Sequence, residues 1–111
     1  LVTASLAYAG VDAKEVDDPK IIIEDGVCKS RDLKQLVGSV ATMDVLVQNM
    51  VKAEVPLEDA IRMATETPAK IMGVYDKKGS LEKGKDADIL ILDKKLRIRK
   101  AWSKGQMIEG I

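Results

Sequence analysis

At 111 residues, with 46% hydrophobic and 32% charged side chains, the chain has the size and composition of one globular domain, or a piece of one, and not of a disordered or fibrous protein. Eighteen basic residues balance eighteen acidic ones, so no net field favours a polyanion, and the lack of a basic stripe with interleaved aromatics argues against nucleic-acid binding. The chain contains no His, which excludes Ser-His and Cys-His nucleophiles and would leave any metal site to Asp, Glu and one Cys.

The single Cys28 cannot form an internal disulfide, and no segment has the order of a signal peptide, so a cytoplasmic location is expected. The longest apolar runs, such as Ile89 to Leu92, are too short to cross a bilayer, which gives no expectation of a membrane partner.

Leu1-Val2-Thr3 is a short β-prone run leading into Ala4-Ser5-Leu6-Ala7, and it reads as a chain entered in mid-fold. Gly10 to Lys20 is acidic and irregular, the mark of a solvated loop. Ile21-Ile22-Ile23-Glu24 and Val27-Cys28-Lys29 flank Asp25-Gly26, a strong hairpin signal because both turn residues tolerate positive φ. Leu36-Val37-Gly38 reads as an approach to a helix.

From Val40 the period becomes helical: Val40, Met43, Val47 and Met50 share a face that Leu46 and Val51 widen. A helix is expected from about Val40 to Lys52, capped by Ser39. Pro56 suits the first position of a second helix, with Glu58 and Asp59 in its first turn. Pro68 should stop that helix and start a short one ending at Gly73. Strands are expected over Ala87 to Leu92 and Leu96 to Trp102, with Lys104-Gly105 turning the chain toward Met107-Ile108.

Three segments carry a resemblance that covers nearly the whole chain. Leu1-Val2-Thr3-Ala4-Ser5-Leu6-Ala7-Tyr8-Ala9-Gly10 resembles the last barrel strand and following loop of the N-acetylglucosamine-6-phosphate deacetylase family. Leu36-Val37-Gly38-Ser39-Val40-Ala41-Thr42-Met43-Asp44, with Asn49 beyond, resembles that family's Leu-small-Gly-Ser motif and helix. Thr67 to Val74 and Gly79 to Asp88 are similar to the C-terminal signature of the wider amidohydrolase superfamily.

The resemblance implies an α/β fold: the C-terminal portion of a metal-dependent (β/α)8 barrel, with its last strand and closing helices, plus part of a small composite β-sandwich. Residues 1–77 would end the barrel domain, with a hairpin insertion at about 20–30, and residues 78–111 would belong to the sandwich. The implied reaction is hydrolysis of the acetamide of N-acetylglucosamine 6-phosphate to glucosamine 6-phosphate and acetate. A divalent metal of the zinc or iron class would serve the parent enzyme, with a carboxylate as base and then acid.

The resemblance also implies a departure. The family carries its acid/base Asp directly after the Val-Thr of that strand, and here the position is Ala4. The implied metal ligands, His and Glu, would lie upstream of Leu1, so no metal site and no activity are expected of this chain alone. By the same resemblance, Leu36, Val37 and Gly38 would touch an amino-sugar phosphate.

Without the resemblance, Leu1 to Thr3 is an ordinary buried strand and Gly38-Ser39 an ordinary turn and cap. Thr42 and Asn49 are structural, Met43, Met50, Met63 and Met72 fill core, and Asp86 and Asp88 form a solvated turn beside Lys83 and Lys85. Cys28 acts as a small hydrophobe, and Lys94, Lys95, Arg97, Arg99 and Lys100 mark one solvated strand face. Two alternatives stay open: another amidohydrolase of dihydroorotase or imidazolonepropionase type, and a non-catalytic binding or assembly module. An excerpt of a barrel would leave strand edges and helix faces uncovered and should self-associate as a homo-oligomer.

Overall fold

The computed structural model describes residues 1–11, 16–24, 27–32 and 35–110. It is a mixed α and β chain that divides into two compact units, Val2–Leu46 and Leu1 with Val47–Ile111.

In the first unit, β1 (Ile21–Glu24), β2 (Val27–Ser30) and β3 (Leu36–Ser39) form an antiparallel sheet in that order. Glu24 lies opposite Val27, as a two-residue connection requires. The expected Asp25-Gly26 turn itself falls outside the described residues. Ile21 and Cys28 are the buried side chains of this sheet, so Cys28 packs as the small hydrophobe expected of it. Arg31 closes the base of the hairpin: its Nε donates to Pro19 O at 2.8 Å and its Nη2 to Asp18 O at 3.0 Å.

Two expectations fail in this unit. Leu1 to Thr3 forms no strand, and the ladder contact of the segment is an isolated parallel bridge between Ser5 and Ser39. A strand exists by its ladder partners, and β propensity alone does not supply them. Conversely, Leu36–Ser39 is a strand and not a helix approach, so Ser39 caps nothing. Helix α1 (Met43–Lys52) begins three residues after the expected start. The Thr42 carbonyl accepts the Leu46 N–H at 3.2 Å, and the Thr42 hydroxyl bonds Asp44.

In the second unit, α2 (Leu57–Ala64) and α3 (Glu66–Ile71) precede an antiparallel sheet of β4 (Ile89–Leu92), β5 (Ile98–Ser103) and β6 (Gln106–Ile108). Pro56 sits one residue before α2, with Glu58 and Asp59 in the first turn. The break comes at Thr65, before the expected Pro68. The proline ring excludes the carbonyl four residues earlier, that of Ala64, so α2 cannot run through it. Gly73, at φ +68°, follows the end of α3 as expected. Lys104 and Gly105, at φ +49° and +80°, make the tight primed turn between β5 and β6.

The fully enclosed side chains are small: Ala60, Ala69 and Ala101 are buried with Val47, whereas Ile71, Met72 and Leu81 are more than 70% exposed. Met72 is therefore not core filler. Apolar faces remain uncovered within the described residues.

Candidate functional site

Position 4 and the Leu36–Gly38 segment are more than 30 residues apart in sequence, and the fold laces their neighbourhoods together. The Ser39 N–H donates to Ala4 O at 3.1 Å, and the Leu6 N–H donates to Ser39 O at 2.9 Å. Ser39 is thus bracketed by the residues on either side of Ser5. Two hydroxyls grip the peptide groups of Ala41: Ser5 Oγ donates to its carbonyl at 2.6 Å, and Ser39 Oγ accepts its N–H at 2.9 Å. Gly10 N–H donates to Val40 O at 3.1 Å and extends the seam.

Gly38 has a steric reason to lack a side chain. A Cβ built on it would lie 2.9 Å from Leu6 Cγ and 3.4 Å from Ala4 O. Just before it, Leu36 and Val37 are 76% and 42% exposed, and Ala4 is exposed as well. The site is an open apolar edge beside a glycine, next to a position that carries only a methyl group.

The groups at hand limit the chemistry. Ala4 has no titratable proton, and the Ser5 hydroxyl is spent as a donor to a carbonyl, in a chain with no His to raise its nucleophilicity. Among the described residues no group of three His, Cys, Asp or Glu could hold a metal ion. Asp86 and Asp88 face Lys78, which pairs with both, at 2.9 Å to Asp86. They form an ionic clasp on Lys78, where Lys83 and Lys85 were the expected neighbours. The bond to Lys78 Nζ, aided by the Lys104 N–H at 2.8 Å, holds the Asp88 carboxyl below its ordinary value.

The sequence singled out position 4 and residues 36–38 as candidates but not the seam between them. Its signal was the pair Ser39 and Ala41: a serine hydroxyl taking the N–H two residues on is an alternative to helix capping. Missed too was a cavity of about 690 Å³ in the second unit, lined by Ile61, Pro68, Ala69, Met72, Leu90 and Trp102. Lys85 was also unforeseen: its ammonium lies 3.5 Å from the centroid of the Tyr75 ring, a cation–π contact.

A sequence profile described as the amidohydrolase family matches residues 9–109. The chain belongs to the amidohydrolase family. Among its relatives, this amidohydrolase is 39% identical over 74 residues to N-acetylglucosamine-6-phosphate deacetylase of Danio rerio, covering 66% of this chain and 18% of the relative. It is 40% identical over 73 residues to N-acetylgalactosamine-6-phosphate deacetylase of Escherichia coli O157:H7, covering 65% of this chain and 19% of the relative. The crystal structure of N-acetylglucosamine-6-phosphate deacetylase from Pasteurella multocida superposes with a TM-score of 0.85 at 30% identity, over 96% of this chain and 29% of that one. The chain therefore spans less than a third of the length of each of these relatives.

Among the described residues, no helix is long and apolar enough to cross a membrane.

Proposed function

We propose that this amidohydrolase chain is the C-terminal portion of a cytoplasmic deacetylase for N-acetylglucosamine 6-phosphate, and that it is inactive by itself. The observation that carries the reading is the seam through Ser39. The two segments in which the sequence resembles the deacetylases most specifically, 1–10 and 36–44, are joined by the hydrogen bonds of Ser39 with Ala4 and Leu6. A family site made of one residue at position 4 and a substrate-touching edge at Leu36, Val37 and Gly38 needs that proximity.

In this reading residues 1–77 close the barrel domain and residues 78–111 complete part of the small sandwich. Leu36 and Val37 offer apolar contact and Gly38 a bare backbone to the amino-sugar phosphate. Ala4 stands where the family has its acid/base Asp, so no residue here takes a proton from water or returns one to the leaving amine. A metal of the zinc or iron class would polarise the amide and activate water, but the described residues do not fit such a site, so its ligands belong to the rest of the parent. The similarity to an N-acetylgalactosamine-6-phosphate deacetylase, at 40% against 39%, supports the hexosamine 6-phosphate class more strongly than either epimer.

The test is acetate release from N-acetylglucosamine 6-phosphate by the native gene product containing this segment, with and without Ala4→Asp. With a divalent metal, Ala4→Asp is expected to raise turnover by a factor of about 100 or more, the scale of a positioned acid/base. Equal turnover in both would remove position 4 from the chemistry. A native product that binds no metal and releases no acetate in either form would leave the non-catalytic binding module as the reading.

A further inference from the structure

Among the described residues, Ala4, Glu54, Leu96 and Lys104 are the non-glycine residues at positive φ. Three of them have ordinary local reasons. Glu54 follows the end of α1, Leu96 lies in the loop between β4 and β5, and Lys104 occupies the tight turn into β6. Ala4, at φ +47°, belongs to no turn. Its conformation runs against its own preference, because an L-residue's Cβ there crowds the following carbonyl; Gly escapes this, and Asn and Asp tolerate it by local hydrogen bonding.

What holds Ala4 there comes from far along the chain. The Ser39 N–H takes the Ala4 carbonyl at 3.1 Å, the Ser39 carbonyl takes the Leu6 N–H at 2.9 Å, and Ser5 Oγ fixes the Ala41 carbonyl at 2.6 Å. Leu6 is packed against Gly38, where an added Cβ would press on it. Residues 4 to 6 therefore have both ends of a short arc pinned to one residue, with residue 4 in the left-handed region.

We infer that Ser39 is a positioning residue whose two backbone groups hold position 4 in the left-handed region, which suits Gly, Asn or Asp, so that the Ala present is mismatched to the backbone it occupies. The consequence rests on the reading of position 4 given above: a carboxylate introduced there is held in a fixed frame beside Leu36–Gly38 with no rearrangement of the chain. The mismatch itself needs no knowledge of substrate, and it is what an Asp-to-Ala exchange at a preset position would leave behind.

The experiment inverts the handedness of residue 4 while keeping its composition. In the 111-residue chain, Ala4→D-Ala, made by ligating a synthetic N-terminal peptide, is expected to slow exchange of the Ser39 and Leu6 amides about fivefold, with Ala4→Asn acting in the same direction and Ala4→Val in the opposite one. Faster exchange in Ala4→D-Ala, or Ala4→Asn equal to Ala4→Ser, would overturn the inference. Ser39 is tested through the HN–Hα nuclear Overhauser effect within residue 4, which is strong at positive φ because the two protons then lie closer together. Ser39→Ala keeps both backbone groups and should keep positive φ, whereas Ser39→Pro removes the N–H and should return residue 4 to negative φ. Positive φ in the proline variant would take the role from Ser39. These readouts involve no turnover, so they stand or fall separately from the deacetylase reading, which depends on acetate release.

Discussion

The two three-stranded sheets have the same antiparallel meander and are trimmed by different forces. Around β1–β3 the ties at the site are neutral: hydroxyls of Ser5 and Ser39 on Ala41, backbone groups of Ser39 on Ala4 and Leu6, and a sealed thiol at Cys28. Around β4–β6 the loops are organised by carboxylates. Asp93 accepts the backbone N–H groups of Lys95 and Arg97 at 2.8 and 3.0 Å and pairs with the Arg97 and Arg99 guanidinium groups, each at 2.8 Å. Asp88 takes the Lys104 N–H and pairs with Lys78. The neutral ties at the site should respond to changes of shape and polarity, and a sheet whose loops are organised by carboxylates to pH, although β1 and β2 also carry one exposed ion pair, Lys29 with Glu24 at 3.1 Å.

The largest expected effect breaks that division, because one point in the charge-rimmed unit is limited by shape. A Cβ on Gly79 would lie 2.6 Å from Ala69 Cβ and 3.2 Å from Thr65 O, at φ +92°. Ala69 is borne on α3 and Thr65 is held at the junction of α2 and α3, so Gly79→Ala should cost about 3 kcal/mol, overpacking added to backbone strain. Gly84 is the control: its φ is +97° and nothing lies within 4 Å of an added Cβ. Gly84→Ala should cost about 1 kcal/mol, from strain alone. Urea unfolding of the two variants measures the difference, and equal losses would mean that the loop at Gly79 yields.

A second substitution sharpens the contrast from the neutral side. Cys28 is 0% exposed, so Cys28→Ser puts a hydroxyl into a sealed space and should cost about 2 kcal/mol, whereas Cys28→Ala, which leaves only a small void, should cost about 1 kcal/mol. Equal midpoints for the two variants would show that the serine finds a partner.

The same contrast explains which parts of the fold were legible in the sequence. The elements of the second unit were read within two or three residues because their signals are local: Gly73 after α3, the Lys104-Gly105 turn, the acidic first turn of α2. Leu1–Thr3 and Leu36–Ser39 were misread in opposite senses, one as a strand and one as a helix approach. Leu36–Ser39 is a strand through its ladder with β2, Val27 opposite Ser39 and Cys28 opposite Gly38, while the segment after Leu1–Thr3 is tied by the bonds of Ser39 to Ala4 and Leu6, across more than 30 residues; neither pairing is a local signal. The candidate residues Ala4, Leu36, Val37 and Gly38 came from family resemblance. The seam that joins them came only from the coordinates, together with the strain at Ala4.

The smallest expected effect follows the charge. Carboxyls held below their ordinary values include Glu66, Glu82, Asp88 and Asp93, all in the unit Val47–Ile111. For Asp93 the leading cause is the Arg97 N–H, followed among the stabilising contacts by the Arg97 side chain, the Lys95 N–H and Arg99. A carboxyl lowered by folding stabilises the fold above the unfolded carboxylate range, near pH 4, and loses that contribution as pH falls toward the folded value. Amide exchange at Lys95 and Arg97 should therefore quicken below about pH 4, after correction for intrinsic rates. Exchange at Ser39 and Ala41, whose acceptors are a backbone carbonyl and a hydroxyl, should not follow that titration. In Asp93→Asn the loop between β4 and β5 should lose its share of the acid sensitivity. If the Lys95 and Arg97 amides quickened to the same degree in that variant, the turn would owe its order to the backbone and not to the carboxylate.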